Sequence, residues 1–169
     1  MDPWLENKQL PYHLASACGL VRKDGLVLLI RSPKRGWELP GGTVEQGETI
    51  TEALTREVYE ESGIHCVPEH LTGVYQNLLV KDGYGPLEGM KLPPIINFAF
   101  LCRYTGGVAT VSEESEDVRW VMPEEAVRMV THPLYAQRLA DMLEYNGTVV
   151  FSSYTYDNRT MECKTKEVL

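Results

Sequence analysis

Three glutamates, Glu57, Glu60 and Glu61, stand within the run Arg56-Glu57-Val58-Tyr59-Glu60-Glu61. On a helix, positions three and four apart are neighbours, so the three carboxylates share an arc of about 100° on one face. Like charges at that spacing repel by about 0.2–0.5 kcal/mol per pair. They also stand toward a helix C-terminus, where the macrodipole disfavours anions. Arg56 beside them can neutralise only one charge. A divalent cation would resolve the conflict, because hard Mg²⁺, Mn²⁺ or Ca²⁺ prefers carboxylate oxygens. A solvated acidic helix face is the plainer reading of the same run.

The elements that must position these acids are legible on either side. Gly41-Gly42 lets the backbone pass close to a ligand. Thr49 offers an N-cap with Glu52 three residues on, the capping-box pattern, and Gly63 supplies a C-terminal stop. Those signals predict a helix of roughly 13 residues between them.

The whole stretch from Gly42 to Ile64 resembles the Nudix box. It places Gly42, five residues, Glu48, seven residues, then Arg56, Glu57, aliphatic Val58, any residue, Glu60, Glu61, any residue, Gly63 and aliphatic Ile64. Nine specified positions at fixed spacing make this a far more specific signal than a lone glycine motif. Beyond the box the resemblance extends more loosely from about His13 to Tyr145. It implies that Glu57, Glu60 and Glu61 are metal-binding carboxylates, that the Gly41 carbonyl adds a ligand, and that Arg56 and Glu48 orient those carboxylates. It also implies hydrolysis of a nucleoside diphosphate linked to another group X, with Mg²⁺ or Mn²⁺ as cofactor, releasing NMP and phosphorylated X. The family's general base sits on the box helix in some members and on a loop before a late strand in others. Here that loop is Ser112-Glu113-Glu114-Ser115-Glu116, just ahead of Trp120. Glu114 matches best as base and further metal ligand, with Glu116 second.

Composition bounds the rest. A chain of 169 residues suits one domain, and 43% hydrophobic with 24% charged residues is ordinary for a globular protein. A net charge of −8 offers no basic stripe for a nucleic-acid polymer, so the expected partner is a small nucleotide. Cys18, Cys66, Cys102 and Cys163 have no paired spacing, which points to reduced thiols and a cytoplasmic location. No signal peptide and no apolar run of membrane-spanning length is evident, so no membrane association is expected.

Taken in order, residues 1–12 read as a polar lead-in, and 13–156 as a single Nudix hydrolase domain with a C-terminal strand extension. Residues 157–169 read as a loosely held polar tail. Strands are expected at His13 to Arg22, Leu26 to Arg31, Trp37 to Pro40, Leu71 to Val80, Ile95 to Tyr104, Val108 to Val111, Asp117 to Val121 and Thr148 to Tyr156. Beside the box helix, Pro123 to Val130 and Pro133 to Tyr145 read as helices. The fold class is α/β (α+β), and by resemblance a Nudix-type mixed β-sheet sandwiched between helices. The strand Thr148 to Tyr156 is expected to be an edge strand or a homodimer contact. Arg31 and Trp37 are substrate-binding candidates, for a phosphate and for base stacking respectively, with Tyr75 and Phe98 as further pocket aromatics. The histidines read as structural, and Tyr84 and Met90 in the long loop 81–94 as cover for a bound nucleotide. A metal-dependent hydrolase is the leading reading, and a non-catalytic Nudix domain that senses a nucleotide for a partner is the alternative. The identity of X stays open.

Overall fold

Side chains that alternate along a strand send consecutive residues to opposite faces of a sheet, and the central strands here use both faces. The computed structural model, which describes residues 12–83, 87–157 and 160–169, shows β1 (Leu14–Lys23) and β2 (Leu26–Ser32) as an antiparallel hairpin. Asp24 and Gly25, at φ 50° and 79°, close it in the tight-turn geometry that suits strand twist. Along β1, Ala17 and Val21 join one core layer while Cys18 and Leu20 join the other.

The chain continues through β3 (Gly36–Glu38), β4 (Gly41–Thr43), helix α1 (Ile50–Ser62) and the long β5 (Ile64–Asn77). A short pair, β6 (Lys81–Asp82) and β7 (Lys91–Leu92), precedes β8 (Ile95–Gly107) and β9 (Asp117–Val121). Helices α2 (Pro123–Met129) and α3 (Pro133–Leu143) then lead to β10 (Val150–Tyr156) and β11 (Met161–Val168). Among the described residues the main sheet runs β11-β10-β5-β8-β1-β2-β3, with β4 beside β1 and β9 beside β2. It is mixed: β1 lies parallel to β8 and β10 parallel to β5, while the other pairs are antiparallel.

Helices cover both faces of this sheet. Leu54 and Val58 of α1 are fully buried against Ala17, Val21, Leu28 and Cys102. Each such side chain is worth roughly 1.5–3 kcal/mol. That anchoring exceeds the repulsion among the acids of α1, so the helix stays docked with Glu57 and Glu61 held against β4. On the other face, Ala126 of α2 and Leu134, Leu139 and Met142 of α3 meet Leu20, Leu29, Leu101 and Tyr75. The architecture is the expected α+β sandwich. No helix among the described residues is long and apolar enough to cross a membrane.

The C-terminal part differs from expectation. β10 is not an edge strand, because β5 lies on one side of it and β11 on the other. Tyr154 and Tyr156 drive this placement by burying their rings in the core, so the dimer contact expected of Thr148 to Tyr156 has no free edge to use. The segment 157–169, expected as a loose tail, carries β11, whose exposed side chains include Glu162, Lys164 and Glu167. Their polarity suits the outer strand of a sheet, since charges there discourage pairing with another chain. Residues 108–111, expected as a strand, form a loop against the helix end instead, with the Thr110 N–H donating to the Ser62 carbonyl at 2.9 Å. β5 starts at Ile64, directly after α1, because Ile64 and Cys66 pack on the α1 side of the core. Residues 1–11 of the lead-in, and Tyr84, lie outside the described residues.

Candidate active site

The position of α1 is set by its caps. The Thr49 hydroxyl accepts the Glu52 N–H at 3.2 Å, and the Glu52 carboxylate accepts the Thr49 N–H at 2.8 Å. Gly63, at φ 71°, ends the helix in the left-handed conformation. Between the caps, α1 lies beside β4, so the glycines of that strand meet the helix's acids.

Carboxylate oxygens of Glu57, Glu61 and Glu114 lie within 4.8 Å of one another. Glu61 is only 4% exposed, and the Gly41 N–H donates to its Oε2 at 2.8 Å. Burial, joined by the charges of Glu38 and Glu57, pushes the Glu61 carboxyl up to about 8 against the Gly41 N–H and the Arg35 charge. Burial also raises Glu57, helped by the charges of Glu60 and Glu114 and opposed by Arg56. A Cβ on Gly42 would sit 2.4 Å from the Glu57 carboxylate, so this position must be glycine for Glu57 to lie against the strand. Glu60 stands apart from the three. It faces solvent and bonds Arg56 Nη1 at 3.0 Å.

Arg56 does more than neutralise one acid. Its Nε and Nη2 grip both Glu48 oxygens at 2.7 and 2.9 Å, Nη1 donates to Glu57 Oε1 at 2.9 Å, and Nη2 reaches the Thr43 carbonyl at 3.2 Å. The planar guanidinium therefore ties the turn, Glu48 and Glu57 into one rigid unit. Its hydrogen bonds hold the Glu48 carboxyl down at about 2.

Glu114 arrives from across the fold on loop 112–116. Ser115 is fully buried and its hydroxyl donates to the Glu61 carbonyl. The Ser112 hydroxyl accepts the Glu114 and Ser115 N–H groups at 3.2 Å each. This side-chain-to-backbone turn, spaced Ser-x-x-Ser, is the signal that acid density alone did not reveal. Glu116 turns away, its carboxylate 3.8 Å from Arg31.

Two expected substrate contacts are not brought to the site. Arg31 pairs with Glu116 in solvent, and Trp37 lies under the Arg119 guanidinium at 5.1 Å. Neither lines the cavity that opens beside β4; the two are cross-strand partners on β2 and β3. That cavity holds about 580 Å³. Gly41 and Gly42 form one wall, and His132, Tyr135 and Arg138 at α3 form another. Lys81, Asp82 and Leu92 from the long loop complete it, whereas Met90 is exposed elsewhere. Among the described residues, Lys34, Arg35, Lys81 and Arg138 line it against Glu38 and Asp82, so the lining is net positive on an acidic protein. Tyr75 is core, its ring beneath Arg138.

A mixed sheet between helices, with a capped acidic helix against a glycine turn, defines the Nudix class of hydrolase. The chain belongs to that family: residues 11–145 match the NUDIX domain model. It is 39% identical over 144 residues to a MutT-like protein of Streptomyces ambofaciens, covering 84% of each chain. It is 43% identical over 94 residues to the 8-oxo-dGDP phosphatase NUDT18 of Homo sapiens, covering 53% of this chain and 25% of that one. A crystal structure of the mutator MutT protein from Bacillus halodurans shares the fold, with a TM-score of 0.70, 23% identity and coverage of 92% of this chain and 97% of that one.

The raised Glu61 carboxyl has a consequence for stability without metal. A folded value above the unfolded one means that the contribution is fully present below the unfolded range and is lost as pH rises through about 8. In EDTA, the melting temperature is expected to fall between pH 5 and pH 9 by on the order of 5 °C more than in Glu61→Gln. Calorimetry of the two proteins side by side checks this, and identical pH profiles would refute it.

Proposed function

We propose that this protein is a divalent-metal-dependent pyrophosphohydrolase that cleaves a small nucleoside diphosphate derivative into NMP and phosphorylated X. The observation that carries the reading is the meeting of Glu57, Glu61 and Glu114 within 4.8 Å beside an electropositive cavity. Three carboxylates in that space, two of them pushed upward by burial and mutual charge, form a hard oxygen donor set that fits Mg²⁺ or Mn²⁺. Glu57 and Glu61 would hold the ion, with Glu60 at the solvent side. Bound there, it would neutralise diphosphate oxygens and make water a better nucleophile.

The protein's own groups supply the rest. Arg56, braced by Glu48, aims Glu57; the Gly41 N–H fixes the rotation of Glu61. Glu114 takes the proton of the attacking water. The cavity binds the remainder of the nucleotide. Free buried Cys18, Cys66 and Cys102 suit a reducing, cytoplasmic location.

The test is a panel of nucleoside triphosphates, nucleotide sugars and dinucleoside polyphosphates, with Mg²⁺ or Mn²⁺ and no added protein. At least one compound is expected to turn over many times per minute, and EDTA is expected to abolish the rate reversibly. Tight binding without turnover across the panel would instead favour a nucleotide sensor.

A further inference from the structure

Arg138 sits on the sheet-facing side of α3, 7% exposed, and lines the same cavity as Gly41 and Gly42. Its Nη2 donates to the Tyr154 hydroxyl at 2.9 Å, and its guanidinium lies 5.3 Å from the Tyr75 ring and 5.8 Å from the Tyr135 ring. Its Nε is buried with no hydrogen-bond partner. Among the described residues no carboxylate forms an ion pair with it. Asp141, three residues along the same helix, is taken by the Tyr75 hydroxyl at 3.0 Å, the Gln137 amide at 2.9 Å and Lys166 Nζ at 2.6 Å.

A guanidinium keeps its charge at any working pH. Its neighbours among the described residues are aromatic faces and the Tyr154 hydroxyl, with no carboxylate ion-paired to it to offset the desolvation. A second buried nitrogen belongs to a residue lining the same cavity: His132 Nδ1 has no partner, while its Nε2 meets the Tyr156 hydroxyl at 2.9 Å. The amides that could offer acceptors are already committed. Asn77 Oδ1 accepts the Leu79 and Tyr156 N–H groups at 3.2 and 3.3 Å, and Asn97 bridges Cys18 and Ser16 at 3.3 and 2.9 Å. Among the described residues, the cavity lining carries more positive than negative side chains.

We infer that Arg138 is a specificity-determining residue that binds an oxyanion, a phosphate or a carboxylate, carried by the group X. His132, in the tautomer protonated at Nδ1, would supply the second donor. The inference rests on the hydrolase reading for its substrate, and adds to it that X carries anionic oxygens of its own. A neutral X would leave Arg138 uncompensated and would be the poorer substrate.

The test separates the site from the reaction. In EDTA, ¹⁵N-labelled full-length protein is titrated with inorganic phosphate and, separately, with malonate, following the Arg138 Nε–H resonance. That signal is assigned by its loss in Arg138→Met. A saturable shift with either anion is expected, and it identifies which oxyanion the site takes. Glu61→Gln is expected to show the same shift. Absence of a saturable shift with both anions overturns the inference. With turnover, Arg138→Met is expected to raise KM at least about tenfold for substrates with an anionic X, with kcat altered less than about threefold and neutral substrates unaffected. An equal change for both classes also overturns it. Should Arg138→Met not fold, Arg138→Lys is read instead, with weaker saturable binding expected. Phosphate binding at Arg138 in a protein that hydrolyses nothing would sink the hydrolase reading and keep the site.

Discussion

Glu61→Gln is expected to lower kcat by about 10²-fold or more at saturating metal, the scale of losing one preorganised electrostatic group. The substitution keeps the volume of a side chain that is 4% exposed, so the core around it is preserved. It removes a carboxyl whose ionisation burial and the Glu57 charge oppose, so metal-free stability is expected to rise as pH passes about 8. Glu57→Gln is expected to lose a similar factor, because it also weakens the bond from Arg56 Nη1 at 2.9 Å. The structure separates Glu60 from these two: it faces solvent and lies outside the close carboxylate group, so Glu60→Gln is expected to lose less. Steady-state kinetics with circular dichroism on each variant decides the matter. Near-normal turnover in folded Glu61→Gln would remove this carboxylate from the chemistry.

The second large effect is expected at Glu114. Glu114→Gln should lower kcat by about 10²-fold, within the range assigned to a positioned general base, while KM moves little. The acidic limb of its pH–rate profile should flatten, since the group that must lose a proton is gone. The loop is expected to stay in place, because Ser112 and Ser115 hold it through their own hydroxyls and the backbone. A Glu114→Gln enzyme with unchanged rate and pH profile, beside an inactive Glu61→Gln, would return the base to the box helix.

The glutamates of α1 were legible because everything that places them is local. The Thr49–Glu52 capping box, Gly63 and the glycine turn act within a span of some twenty residues, and the helix period alone aligns Glu57 with Glu61. Glu114 was half legible. Its acidic loop stood out, but the Ser115 hydroxyl that docks it reaches the Glu61 carbonyl across 54 residues of chain. Arg31 and Trp37 show the same limit: being next to the box in sequence did not decide whether they would line the cavity beside β4.

By itself, the sequence determined the box helix, its caps and its acidic face, because short-range hydrogen bonding and helical periodicity need no distant partner. Tertiary structure alone decided the pocket. Arg138 joins Tyr75 and Tyr154 only because β10 pairs parallel to β5 and carries Tyr154 beneath α3. Parallel pairing leaves no turn between the paired strands, so no local signal announces it. The same pairing made an interior strand of residues 150–156 and gave the polar segment after them a sheet edge to complete. Which side chains meet across such a sheet depends on register between distant segments, and that is fixed only when the whole core closes.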